Sequence, residues 1–204
     1  MLEKLEADWR VFTLATSGPS RGQLFLSCVS DYKFRILLRM RLSQALVRRG
    51  FIGRQIARHL FKLNCRYGVD ISPHASIGGG LRLAHPSGIV IGDQTVIGCN
   101  TRILQGVTLG GSVGKVRDGD SSFTMPRLGR NVIVGPGAKV LGPVIVAKGA
   151  FIGANAVITR DVGKLSIVSG IPGKEMSIFT KENIFPAHYE AMVSLVDLFD
   201  EETS

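Results

Sequence analysis

From Ile71 onward an aliphatic residue recurs at every sixth position, and this period constrains the chain more than any other feature. The series runs Ile71, Ile77, Leu83, breaks for two extra residues, and resumes at Ile91, Ile97, Ile103 and Leu109. After a polar stretch from Ser112 to about Pro126 it returns at Leu128, Val134, Val140, Val146, Ile152 and Ile158. An α-helix repeats at 3.6 residues and a strand at two, so neither yields a period of six. Stacked hexapeptide coils do. Each hexad makes one short strand and one corner, and three hexads close a triangle. The aliphatic residue fills the interior. Small or β-branched residues four positions on (Thr95, Thr101, Val132, Ala138, Ala150, Ala156) fit beside it. Such a coil buries its core only by stacking on the next, and the repeats here suffice for about four coils. The expected fold class is mainly β: a left-handed parallel β-helix over residues 67–174, interrupted by a loop at 112–126.

The flanks read differently. Residues 1–66 are expected to be an N-terminal helical segment, with one apolar face at Ile36, Leu37, Met40, Leu46 and Val47 and a second at Ile52, Ile56, Leu60 and Leu63. Gly50 and Gly53 mark a break between them. Ten Lys or Arg and no acid lie between Lys33 and Arg66. A solvated basic face is the default reading, and peripheral contact of the basic helices 33–66 with an anionic membrane the alternative. Residues 175–204 are expected to form a C-terminal helical tail, amphipathic around Val193, Leu195, Val196, Leu198 and Phe199.

Composition removes other classes. The 25 glycines do not fall at every third position, so collagen is excluded. The net charge of +9 could suit nucleic acid, a membrane or a phosphorylated ligand, but the basic residues concentrate in the helices, and no nucleic-acid partner is expected. Cys28, Cys65 and Cys99 have no metal-ligand spacing and read as free thiols, so no metal is expected. The N-terminus lacks a signal-peptide apolar core, and the expected location is cytoplasmic.

His59, His74 and His188 fall at positions that read as surface. His85 differs, because it sits where the repeat is broken, in Leu83-Ala84-His85-Pro86-Ser87-Gly88-Ile89-Val90. Coil arithmetic puts Asp70, at the corner before the first face, on the same edge of the prism one coil below. Coils stack at about 4.8 Å, so carboxylate and imidazole can meet along that edge. An Asp can fix the tautomer of a His whose other nitrogen removes a hydroxyl proton. Such a pair also serves purely structural roles.

These motifs resemble the serine acetyltransferase group of hexapeptide-repeat acyltransferases. The likeness is carried by Asp70-Ile71, by Ala84 to Val90, by Ile103-Leu104-Gln105-Gly106-Val107-Thr108-Leu109-Gly110-Gly111, by Gly137 to Gly142 and by Gly170-Ile171-Pro172-Gly173. The resemblance implies an acetyl-CoA-dependent O-acetyltransferase in which Asp70 and His85 activate the acceptor hydroxyl. It also implies a homotrimer with coenzyme A between two subunits, near Gly110, Gly111 and Ala154. At one expected cofactor corner the family's Ala is Pro136, which has no N–H.

Three departures bear on the acceptor. The family's serine enzymes carry Asp before the catalytic His, where this chain has Ala84. They carry Arg-His where it has Thr124-Met125. Those charged groups hold the ammonium and carboxylate of an amino acid, and a zwitterion needs such partners. Ala84, Thr124 and Met125 are therefore the expected substrate-binding positions, and the pattern looks closer to acetyltransferases of exopolysaccharide and capsule pathways. The leading expectation is transfer to a sugar or polysaccharide hydroxyl. The loop residues Ser112, Lys115, Arg117, Asp118, Asp120, Ser121 and Ser122 could line an open groove for it. The alternatives are serine O-acetylation and a non-catalytic trimeric scaffold.

Overall fold

The computed structural model describes residues 1–15, 17–117 and 122–180. Four helices come first: Leu2–Thr13 (α1), Arg21–Ser30 (α2), Tyr32–Leu46 (α3) and Gly50–Cys65 (α4). The strands that follow, numbered β1 to β15 in chain order, form three parallel ladders. Face one stacks Val69–Ile71 (β1), Ile89–Ile91 (β4), Thr108–Gly110 (β7), Lys139–Leu141 (β10) and Val157–Ile158 (β13). Face two stacks Ser76–Ile77 (β2), Val96–Ile97 (β5), Arg127–Leu128 (β8) and Ile145–Val146 (β11). Face three stacks Arg82–Leu83 (β3), Arg102–Ile103 (β6), Ile133–Val134 (β9), Phe151–Ile152 (β12) and Ser166–Ser169 (β14). The fold is the expected left-handed parallel β-helix.

The period of six is the register of this prism. Ile71, Ile91, Leu109, Val140 and Ile158 stand in one column, Ile77, Ile97, Leu128 and Val146 in the second, and Leu83, Ile103, Val134 and Ile152 in the third. None of the thirteen is more than 4% exposed. The companion positions Thr95, Thr101, Val132, Ala138, Ala150 and Ala156 are all fully buried. The edge between faces three and one is a ladder of left-handed residues: Gly68, Gly88, Gly106 and Gly137, topped by Asn155. A side chain on Gly137 would collide with Asn155, its Cβ falling 2.0 Å from Oδ1, so the ladder needs glycine there.

The helices close the lower end. Phe34, Ile36, Leu37 and Met40 of α3 join one core with Ile71, Ile77 and Leu81. A buried ion pair locks the junction. Arg41 Nε donates to Asp8 Oδ2 at 2.8 Å and Nη2 to Oδ1 at 2.9 Å. The same guanidinium donates to the carbonyls of Ile77 and Gly78, and Asp8 accepts from Leu81 N. Burial pushes the Asp8 carboxyl above its ordinary range, against the pull of Arg41.

Several expectations need correction here. The stripe Ile52, Ile56, Leu60, Leu63 is not the buried face of α4: Ile52 is 74% and Ile56 45% exposed. The helix buries Gly53, Ala57 and Asn64 instead. Ser43 Oγ donates to Ala57 O, and Asn64 Nδ2 to Ile36 O, so α4 is held to α3 by polar bonds and close backbone approach. Gly53 is therefore a contact and not a break, since a Cβ there would fall 2.6 Å from Leu46 O. An extended strand, Lys174–Ile178 (β15), antiparallel to β14, takes up residues 175–178, the first four of the expected helical tail. Residues 181–204 of that tail, with His188, lie outside the described residues. Ser20 and Gln23 form a capping box that marks the start of α2. No helix among the described residues is long and apolar enough to cross a membrane.

Candidate active site

The two interruptions of the repeat flank face one. Residues 84–88 turn the chain from β3 to β4, at the edge between faces three and one. Pro86 is buried, Ser87 N donates to His85 O at 2.8 Å, and Gly106 N of the next coil donates to Ser87 O at 2.9 Å. The corner is thus braced by backbone while the His85 side chain remains exposed. Ala154 occupies the same edge higher up, since Gly137 N bonds Gln105 O and Asn155 N bonds Pro136 O in rungs continuing from Ser87. Pro136 thus takes part in this ladder through its carbonyl. The second interruption, 111–126, leaves β7 at the opposite border of face one, where Gly110 and Gly111 lie.

Between these borders the outward residues of face one form a column: Asp70, Val90, Thr108, Lys139 and Val157. Asp70 is exposed in the middle of β1, not at a corner as coil arithmetic placed it. It stands one coil below the strand that His85 feeds, but among the described residues no hydrogen bond or ion pair joins Asp70 to His85. The cause is the phase within the coil: Asp70 is in register with Val90, five residues after His85. Asp70 also acts on Cys65 at the end of α4, whose thiol is pushed up by partial burial and by the Asp70 charge. Lys139, which sequence reasoning missed, donates to Gly106 O at 2.5 Å and to Thr108 Oγ1 at 3.1 Å, tying the left-handed edge to face one. Its signal was only that it precedes the core residue Val140, a position where a lysine reads as solvated.

The described part of the long loop packs onto the prism. Arg117 N donates to Phe123 O at 3.1 Å, and Arg117 pairs with Asp161 at 2.9 Å. Phe123 is buried, with the guanidinium carbon of Arg127 3.9 Å from its ring centre and that of Arg117 5.6 Å away. Thr124, with Ser112 and Lys115, lines a shallow open groove. Met125 packs on glycine: a Cβ on Gly92 would fall 2.5 Å from its methyl carbon, and one on Gly111 3.3 Å from its sulfur. Ala84 sits half-buried beside His85. Asp118, Asp120 and Ser121 lie outside the described residues. Among the described residues no group of three His, Cys, Asp or Glu could hold a metal.

A coil of six-residue sides with an exposed histidine at a broken corner defines a class, that of hexapeptide-repeat transferases. Residues 125–160 match the family described as Bacterial transferase hexapeptide (six repeats). The chain is 36% identical over 174 residues to a serine acetyltransferase of Synechococcus elongatus, covering 85% of this chain and 68% of that protein. It is 43% identical over 143 residues to one of Helicobacter pylori, covering 69% of this chain and 79% of the relative. A solved serine acetyltransferase in complex with CoA superposes with a TM-score of 0.69 at 28% identity, covering 86% of this chain and 69% of that one. The chain belongs to the serine acetyltransferase family. It is an acyltransferase with acetyl-CoA as its acetyl donor, as expected.

The expected sugar or polysaccharide acceptor is not upheld. The relatives are serine acetyltransferases, and none of these likenesses points to the capsule or exopolysaccharide branch. Ala84, Thr124 and Met125 do not by themselves decide the acceptor. Met125 is committed to packing against Gly92 and Gly111, so its lack of charge reports on the loop's seat and not on the acceptor.

Proposed function

We propose that this protein acetylates the hydroxyl of serine. His85 is the general base: it takes the hydroxyl proton as that oxygen attacks the thioester carbonyl, and returns it to the departing CoA sulfur. The C–O bond forms as the C–S bond breaks, and no acyl-enzyme intervenes, because among the described residues no cysteine thiol or serine hydroxyl is hydrogen-bonded to the His85 imidazole. Asp70, one coil below and not hydrogen-bonded to His85 here, stabilises the imidazolium through its charge. The observation that carries the reading is His85 itself, exposed on a braced corner of the prism where the regular repeat would have left only wall.

The wall fits the donor. Gly110 leaves one border of face one without a side chain beside the Met125 that covers Gly111, and Ala154 leaves the other with only a methyl group. A long extended arm can lie along Val90, Thr108 and Val157, with Lys139 nearby as a cation. We place acetyl-CoA there, between the prisms of a homotrimer as in hexapeptide-repeat acetyltransferases of this family. Thiol release from acetyl-CoA with L-serine, beside a panel of sugars, tests the acceptor. The expected kcat/KM for serine is within the range of about 10⁴–10⁸ M⁻¹s⁻¹ typical of true substrates. No turnover with serine would overturn the reading. His85→Ala should lower kcat by roughly 10²–10⁴-fold without changing the melting temperature. Asp70→Asn should lower kcat more than it weakens acetyl-CoA binding. A parent-like rate in His85→Ala would remove the residue from the mechanism.

A further inference from the structure

Two arginines on face three have no role in the fold or in the reaction described above. Arg82 in β3 and Arg102 in β6 each precede an inward core residue, Leu83 and Ile103, so both side chains leave the prism on its outer surface. The ladder sets them directly side by side. Neighbouring strands stand about 4.8 Å apart, and the two like charges on them repel. Both are half-buried. Arg82 Nη1 and Arg102 Nε are shielded from solvent without any hydrogen-bond partner, and they are two of the four such buried side-chain atoms among the described residues. Burial, and then the charge of Arg82, pull Arg102 below its ordinary range. The other cations discussed above behave differently: Arg41 is satisfied by Asp8 and two carbonyls, and Lys139 by Gly106 and Thr108. A partly desolvated like-charged pair with spare donors costs stability, so its presence points to a ligand that repays the cost.

The place of the pair says which ligand. Arg82 lies three residues before His85 on the strand that feeds its corner, with the small Ala84 and the inward Leu83 between them. Arg102 lies on the strand that feeds the next corner up, where Gly106 bonds Ser87 of the His85 corner. The pair borders the edge on which the acceptor must be held.

We propose that Arg82 and Arg102 bind an oxyanion of a substrate beside the His85 corner, and that this oxyanion is the carboxylate of the amino-acid acceptor. Guanidiniums offer planar pairs of N–H donors that match a carboxylate, and charge-assisted bonds of this kind are about twice as strong as neutral ones. The carboxylate assignment rests on the serine reading. The same chemistry could instead meet a phosphate of acetyl-CoA, and the test separates the two sources.

Arg82→Gln and Arg102→Gln are made singly in the full chain and titrated calorimetrically with L-serine, L-serinamide and CoA. The expected result is a serine Kd raised about tenfold or more, with CoA and serinamide affinities unchanged and a melting temperature equal to or above the parent's, because repulsion is relieved. Weakened CoA with unchanged serine would keep the oxyanion site and overturn its assignment to the carboxylate. Unchanged affinity for both, or a melting temperature lowered by several degrees, would overturn the site. A parent that neither binds serine nor releases thiol with it overturns the serine reading alone. The CoA titrations then decide the pair: lost affinity sustains the site and parent-like affinity overturns it.

Discussion

The coils and helix α4 treat large aliphatic residues in opposite ways. In the coils every hexad aliphatic is buried, from Ile71 to Ile158. In α4 the aliphatic stripe is turned outward or left half-covered, while Gly53 and Ala57 are buried. A strand in a closed prism has one inside, so its alternation leaves no choice of face. A helix on a surface has a choice, and α4 is set by how closely its backbone must approach the end of α3. Periodicity in a solenoid therefore reports burial directly, whereas amphipathicity in a capping helix reports only that a face exists.

The junction between the two regions should show the largest effect on stability. Asp8→Ala leaves Arg41 charged, buried and facing only carbonyls, and removal of one partner of such a pair costs about 3–5 kcal/mol. Urea denaturation monitored by circular dichroism would measure it, and a cost under about 1 kcal/mol would show that the helices and coils are not locked by this pair. Ile103→Ala should cost about 2–5 kcal/mol, since the site is enclosed by coils above and below and can relax little. In α4 the intrinsic preference of Ala over Gly, about 1 kcal/mol, would favour Gly53→Ala if the position were an ordinary helical one. The close approach to Leu46 O should reverse the sign, with a net loss of about 1–3 kcal/mol, and a stabilised variant would return Gly53 to the role of a simple break. Ile52→Ser should change stability by no more than about 0.5 kcal/mol, as for other surface substitutions. A loss as large as that of Ile103→Ala would mean that the outward stripe of α4 is covered in solution.

Legibility followed the same division. The hexads, their companion small residues and both interruptions were readable, because a period of six admits one geometry. The broken corner singled out His85 for the same reason. Asp70 was read at the right height but wrongly at the edge, and it stands mid-strand on face one, since counting coils fixes height and not phase. The meaning of Ala84, Thr124 and Met125 was not readable from replacement alone. Whether Met125 lines a groove or seats a loop depends on Gly92 and Gly111, which are distant in sequence. Arg82 and Arg102 were silent because they are twenty residues apart, and only the register makes them neighbours.

Strand β15 has a consequence of its own. A stack of parallel coils ends in unpaired backbone groups that would accept another coil, from this molecule or from a second one, and growth could continue without limit. Running antiparallel to β14, β15 gives the top of face three a strand of the wrong polarity for a further coil to extend the parallel ladder. It acts as a terminator against polymerisation, built from five residues that contribute almost nothing to the core.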